Sequence, residues 1–562
     1  MGIRLRLPRT FRSLGVSGEG HNSRWANPDV LPVPKHQINY DWKAYAGYWL
    51  AVGFNTTCWS LGSSNLANGL DAGATIGAIA VGFILAALVA FVSGEPGIRY
   101  HLGFPMISRA TFGMYGSYFV ILTIFRSSSM LKCFVNFIFF GIQSYWGGLA
   151  ADIVLSAIFP SFRNLANTIP ESSAITTKQL IGFIIYIIIF TSMMFIHPSK
   201  LSKYVWISQA WVTITMVSLF IWAMSQNHGA SFLGPSKTIT SSERSFRILQ
   251  AISAVAGSWT GSCIRQADWT RYTKSRTAVA ANQLITGPIA GIVCATMGIA
   301  VTSAMASLYP GSATGNSSKL WNPITLLDYL QTIDYSATTR AGTFFAGLAF
   351  FISQITVNLV QNSVACGMDL ASMAPKYIDM TRGSLIMCLI GYLIQPWRFV
   401  NQAGLFISVL NSFGMFVSPL AGINTVDFWL VRRLRWKIPD LYKGSGDNVY
   451  WYTAGLNWRA FAAWIITVWA SFPGFIAAMN GKDYGAGWTR TFQVTWIVRF
   501  CGSGLVYYLI CLVSPPPGAP YVLELLDEQS EPAIEGRSVS EDETGQKQVF
   551  STGATDIENG KK

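Results

Sequence analysis

The chain has 562 residues, 51% of them hydrophobic and only 12% charged, whereas a soluble globular protein carries about a quarter charged residues. Its formal charge of +13 comes from basic residues placed between apolar blocks, not gathered in one stripe with interleaved aromatics, which argues against a nucleic-acid binder. The eight cysteines all fall in or beside apolar segments, with no C-x-x-C pair, and read as packing residues rather than metal ligands.

Residues 1–43 are basic and polar with no apolar core ahead of a small-residue cleavage site, so they are expected to be a cytoplasmic segment and not a cleavable signal. Apolar blocks then follow at roughly 44–68, 72–94, 130–158, 179–197, 204–225, 248–267, 281–307, 342–371, 383–401, 403–431, 459–479 and 490–514. Each approaches the roughly 20 residues that carry an α-helix across about 30 Å of hydrocarbon. None alternates with a two-residue period, so the expected fold is an all-α integral membrane protein of about twelve transmembrane helices. A further element near 110–128 reads either as a re-entrant piece or as the start of a long third span.

The first span crowds small and hydroxyl residues into mid-membrane from Gly53 to Asn65, and the sixth does the same over Gly257-Ser258-Trp259-Thr260-Gly261-Ser262. Both are expected to be broken helices, because exposed backbone groups at that depth are tolerated where they line a protein cavity. Tight helix packing through small residues is the competing explanation for either one. Their matched places, five spans apart, point to two inverted five-helix repeats at about 44–225 and 248–431, followed by two further helices, with a solute site at the midplane.

Twelve spans put both termini on one side. Arg265, Arg271, Lys274, Arg276, Arg432, Arg433 and Arg435 crowd the loops of one face, which predicts cytoplasmic termini. Asn316-Ser317-Ser318, a glycosylation tripeptide, falls in an outer loop under that topology. Residues 515–562 turn polar and acidic and are expected to be a disordered cytoplasmic tail.

From Asn27 to about Pro515 the chain resembles the first nucleobase:cation symporter family, in the fungal branch of uracil, allantoin, uridine and thiamine permeases. The strings that carry the resemblance include Asn27-Pro28-Asp29-Val30-Leu31-Pro32, Tyr48-Trp49-Leu50-Ala51, Phe104-Pro105-Met106-Ile107-Ser108-Arg109-Ala110, Ala267-Asp268-Trp269-Thr270-Arg271-Tyr272, Gly367-Met368-Asp369-Leu370 and Asn457-Trp458-Arg459-Ala460. The resemblance implies a five-plus-five inverted repeat and cation-driven transport of a heterocycle across the plasma membrane.

It also implies which residues hold the solute. Phe139 and Gln143, four apart on one helix face, match a ring-stacking aromatic and a glutamine that reads the polar edge. Asn358 and Asn362 repeat that spacing in the eighth span, and Asn362 matches a substrate-binding asparagine. Trp259 matches the aromatic on the other side of the ring, and Ser60 replaces a glutamine often found after the tryptophan of the first span. The chemistry is consistent with this, since aromatic faces can cover a flat heterocycle while carboxamides, with donors and acceptors both, can read its rim.

Several family positions differ. An acidic residue of many uracil and allantoin carriers is Val52 here, and a lysine of the fifth span is Gln209. These changes keep thiamine, or another vitamin or nucleoside, open beside a nucleobase. Sodium-coupled relatives use two adjacent hydroxyls of the eighth span, here Thr356 and Val357, so Thr356 and Ser353 are the candidate cation-site hydroxyls. One hydroxyl is missing, which weakens a sodium site because a hard cation wants several oxygens; fungal relatives use protons, so the resemblance implies a proton as the coupling ion, with sodium as the alternative. Asp152, Asp268, Asp369 and Asp427 are expected to be pairing groups at helix ends. No H-E-x-x-H, G-x-S-x-G or G-x-x-x-x-G-K-[ST] pattern occurs, so an enzyme is not expected; nor is a cofactor, a metal site or a nucleic-acid partner. A sensor that no longer transports is the remaining alternative.

Overall fold

The computed structural model of the chain describes residues 25–26, 30–118, 132–195, 202–228, 239–309 and 320–519. The glycosylation tripeptide, nearly all of the acidic tail, much of segment 1–43 and most of the 110–128 element lie outside these residues.

Every span expected from the sequence has a helical counterpart. The first is a pair, Trp42–Gly53 and Thr56–Ala67. The second to fifth are Ala72–Tyr100, Lys132–Ile158, Thr177–Met193 and Ser202–Gln226. The sixth is Ser241–Cys263 and the seventh Gly287–Leu308. The eighth runs as Ala337–Val357, a π-helical turn Asn358–Ser363, and Val364–Met373. The ninth and tenth are Met380–Leu393 and Ala403–Val426. The eleventh is a pair, Trp458–Trp469 and Phe472–Asn480, bent by 50° at its break, and the twelfth is Thr495–Val513. Among the described residues eight helices are long and apolar enough to cross a membrane unaided, and the bent pair makes a ninth. The remaining three are the divided first span, the sixth, whose N-terminal start carries charge, and the short ninth.

The packing respects the internal repeat. The first span lies against the seventh and the second against the sixth. Moving each member on or back by five exchanges these two pairs, and the pairing of third with eighth maps onto itself. An odd number of helices per repeat makes the second copy enter the membrane from the opposite side, which is what an inverted repeat requires. The tenth span packs along the twelfth, so the two additional helices clamp the end of the second repeat.

The two expected breaks fare differently. The first span is interrupted as expected, with Phe54 and Asn55 leaving helical geometry (Asn55 φ −153°, ψ 170°). The sixth runs helical through Gly257–Ser262, and its interruption falls later, at Ile264–Gln266, before a short helical turn Ala267–Thr270. The reason is local. Ser258 Oγ and Thr260 Oγ1 hydrogen-bond back to the carbonyls of Val255 and Ala256, at 2.8 and 2.5 Å, inside the helix. Gly257 meets the backbone of Gly414, where a Cβ would sit 2.7 Å from Gly414 N. Here the small residues serve close helix approach.

Between the second and third spans the sequence Phe104–Phe112 forms its own short buried helix, ended by Gly113 at φ +94°. It precedes most of the 110–128 element, of which residues 119–128 lie outside the described residues.

Candidate functional site

Breaking a helix in mid-membrane frees carbonyls on one side and N–H groups on the other, and each must find a partner within the protein. One side chain serves both sides of the first span's break. Asn55 Nδ2 donates to the carbonyls of Ala51 (3.1 Å) and Val52 (2.7 Å), and Asn55 Oδ1 accepts from Cys58 N at 3.0 Å. The carbonyl of Phe54, at the break itself, accepts from Gln209 Nε2 of the fifth span at 3.1 Å.

The second half-helix then starts on Thr56 and Thr57, and both hydroxyls are claimed by amides from other spans. Gln354 Nε2 of the eighth span donates to Thr56 Oγ1 at 2.6 Å, and Gln143 Nε2 of the third donates to Thr57 Oγ1. A helix N-terminus, partially positive and buried, is thus ringed by carboxamides at the level where the first, third, fifth and eighth spans meet.

The eighth span contributes a stripe of amides at every fourth residue, Gln354, Asn358 and Asn362. Asn358 is fully buried and turned toward the scaffold. Its Nδ2 lies 3.3 Å from Phe140 O, 3.1 Å from Ser144 Oγ and 2.9 Å from Tyr186 Oη, and its Oδ1 accepts from Asn362 Nδ2 at 2.7 Å. The π-helical turn places these groups. The wider turn changes the ordinary carbonyl pairing, and Ser363 Oγ donates within it, at 3.1 Å from both Asn358 O and Leu359 O. Asn358 thereby orients Asn362, and Phe140 and Ser144 flank Gln143 on the third span.

The aromatic residues face their own partners. Phe139, half-buried, packs on Phe413 of the tenth span with centroids 4.8 Å apart. Trp259 stacks on Trp49 (5.6 Å, 30°) and meets Phe83 edge-on (4.7 Å). Ser60 Oγ and Gln143 Oε1 are buried with no hydrogen-bond partner among the described residues. An orphaned amide oxygen in a dry site costs about 1–3 kcal/mol, which a donor on a solute rim can recover.

The centre is sealed on both sides. Toward the second half of the first span, Ser63 Oγ bonds to the carbonyl of Trp321, whose ring lies 5.2 Å from Phe406. Toward the far end of the sixth span, Arg265 bridges Asp369 (3.2 Å) and Asn136 (2.9 Å). The N-terminal segment lies over that mouth, with Val33 N donating to His101 O and Tyr442 Oη to Val30 O.

Of the cation-site candidates, Thr356 Oγ1 lies 2.8 Å from Ser208 Oγ and 3.1 Å from its own helix carbonyl at Ile352, and Ser353 is buried. The four carboxylates are engaged elsewhere. Asp152 faces Lys178 (3.9 Å), Asp369 faces Arg265, Asp427 faces Arg432 (3.1 Å) and Tyr507 (2.7 Å), and Asp268 accepts from Phe104 N (2.7 Å). In the loop after the sixth span, burial and then the nearby charge of Asp369 push the Asp268 carboxyl up to about 6.

Sequence reasoning missed Thr56, Thr57 and Gln354. The signal for Gln354 was present, since it stands one turn before Asn358 on the face already singled out. Nothing in the sequence marked the two threonines beyond their place after Asn55.

Comparison with known proteins bears on the family and the fold. A family model described as permease for cytosine/purines, uracil, thiamine and allantoin matches residues 32–499. Transporter aclS of Aspergillus oryzae is 30% identical over 567 residues, covering 92% of this chain and 91% of its own. A thiamine transporter of Saccharomyces cerevisiae is 28% identical, covering 90% and 82%. The fold matches that of Mhp1, a nucleobase-cation-symport-1 family transporter, in a closed conformation with bromovinylhydantoin bound (TM-score 0.67, 18% identity, 87% of this chain and 97% of that one).

Proposed function

This chain belongs to the family of permeases for cytosine/purines, uracil, thiamine and allantoin, and on that premise we propose that it imports a planar, uncharged heterocycle of the uracil or allantoin kind across the plasma membrane, with both termini cytoplasmic, by proton symport. What supports the reading is a set of buried neutral polar groups on neighbouring spans: Gln143 and Ser60 keep unspent hydrogen-bonding capacity, Gln143 bonds to Thr57 one turn before Ser60, and Asn362 is held by Asn358, which itself bonds to Ser144 beside Gln143; Phe139 and Trp259 are the aromatic residues that the family resemblance assigns to the faces of the ring. A ring with alternating N–H and C=O groups fits amides that can donate and accept, and a solute lacking that rim leaves buried amides unpaired.

The proton is favoured over sodium because the oxygens a hard cation would use are already engaged: Phe54 O by Gln209, Ala51 O and Val52 O by Asn55, and Thr356 by Ser208. Thiamine or a related vitamin is the second reading. It is supported by the missing charges at Val52 and Gln209 and by the likeness to a thiamine transporter.

The test is uptake of labelled uracil, allantoin and thiamine into cells lacking their own carriers, each in competition with a heterocycle panel. Saturable uptake of one ring compound at acidic pH supports the proposal. Surface expression with no uptake of any heterocycle overturns it.

A further inference from the structure

The two helices beyond the repeats reach the proposed site through one side chain. Trp496, in the first turn of the twelfth span, is 3% exposed, and its indole Nε1 donates to Thr260 Oγ1 of the sixth span at 2.6 Å. Thr260 is fully buried and adjoins Trp259, and its own hydroxyl proton goes to Ala256 O at 2.5 Å. The hydroxyl is therefore fixed in direction, accepting from one helix and donating within another.

To reach the sixth span the indole must pass the tenth, and it does so over Gly414. A Cβ on Gly414 would lie 3.3 Å from Trp496 Cδ1 and 3.3 Å from the Cα of Gly257. Any larger residue there would push the tenth span away from the indole and from the sixth span together. On its other face the indole is stacked on Phe500, 5.5 Å away at 2°. Phe413, next in sequence to Gly414, is the ring against Phe139. One indole thus touches the neighbours of both aromatic walls of the site.

We propose that Trp496 is a positioning residue for heterocycle recognition: its N–H fixes Thr260, and hence the stance of Trp259, while its ring sets the seat of the tenth span behind Phe413. The inference rests on the transport reading above. Trp49, Trp59 and Trp436 bury their indole N–H groups without an acceptor among the described residues, whereas the N–H of Trp496 is given one, on the helix that carries Trp259. The bond is therefore a link between the additional helices and the site, where lipid-facing packing alone would need none.

The experiment is uptake in cells expressing the full-length protein, with surface density measured in parallel, for Trp496→Phe, Thr260→Val, the double variant and Thr260→Ser. Phenylalanine keeps the ring over Gly414 and its stack on Phe500 but loses the donor; valine keeps the shape of threonine but loses the acceptor; serine keeps the hydroxyl. Trp496→Phe and Thr260→Val are each expected to raise KM about three- to tenfold, the range for one buried hydrogen bond in a membrane protein, with maximal rate per surface molecule nearly unchanged and the order of competing heterocycles altered. The double variant should match the worse single one, and Thr260→Ser should behave as wild type. Effects that multiply in the double variant, or an unchanged KM and competitor order in Trp496→Phe, overturn the inference. Should Trp496→Phe fail to reach the surface, the contrast of Thr260→Val with Thr260→Ser tests the same bond from its other end. Wild-type protein that reaches the surface and takes up no heterocycle defeats the transport reading, and this inference falls with it; transporting wild type with unaffected variants defeats this inference alone.

Discussion

Asn358 and Asn362 look alike in the sequence, yet the structure gives them unlike surroundings, and replacing each by alanine should separate their roles. Truncating Asn358 removes contacts at 3.3, 3.1 and 2.9 Å to Phe140 O, Ser144 Oγ and Tyr186 Oη, and the 2.7 Å bond it accepts from Asn362. Ser144 still donates to Phe140 O and Tyr186 Oη to Gln354 O, so these neighbours keep one partner each. The loss then has two parts: the three lost contacts, at about 0.6 kcal/mol each on the membrane average, and one orphaned amide, at about 1–3 kcal/mol. Their sum is roughly 3–5 kcal/mol before any relaxation. Truncating Asn362 breaks a single bond, about 1 kcal/mol, but removes a group proposed to face the solute. The assay is thermal denaturation of the detergent-solubilised protein beside uptake per surface molecule. Asn358→Ala should unfold at clearly lower temperature and reach the surface poorly; Asn362→Ala should be near wild type in stability and lose uptake. The reverse pattern, or normal transport by Asn362→Ala, would refute the assignment.

Three further outcomes follow from the same contacts. Replacing external sodium by choline should leave uptake unchanged, whereas raising external pH from about 5.5 to about 7.5 should depress it; a sodium requirement would mean that Phe54 O and Thr356 are not committed as described. Asp268, raised from 3.8 to about 6 in the folded chain, favours its protonated form there, so its contribution to stability is complete below about pH 4 and is lost as pH rises through about 6; Asp268→Asn, which can still accept from Phe104 N, should flatten that part of the stability profile, and an unchanged profile would count against the burial argument. Arg432→Met strands Asp427 in a dry interior where the pair is 1% and 0% exposed, and should cost about 3–5 kcal/mol, read as loss of monodisperse, surface-expressed protein.

The span count, the helical class and the break of the first span were legible because membrane solvation writes directly into composition: about twenty apolar residues per crossing, and small or polar ones only where backbone is relieved of its ladder. The sixth span shows the limit of that reasoning. Gly257, Ser258 and Thr260 have the composition of a break, but glycine facing Gly414 and hydroxyls bonded to their own carbonyls are equally good helix residues. Which applies depends on what the neighbouring helix presents, and no local pattern records that. Asn358 and Asn362 were singled out by resemblance and by their spacing, but their different surroundings were not legible, since these depend on a π-helical turn and on Tyr186 arriving from the fourth span. Trp496 lies 236 residues from Thr260, beyond the reach of any periodicity.

The unequal placement of the two interruptions bears on how such a carrier must flex. A 23-residue helix is a rod about 35 Å long, and half of a twelve-plus-twelve pair is about 18 Å. The first span carries its joint midway along its length, so one piece can swing while the other stands still. The sixth carries its joint at one end, beyond Cys263, and would travel as one bar. The two repeats, alike in their packing, are therefore hinged differently.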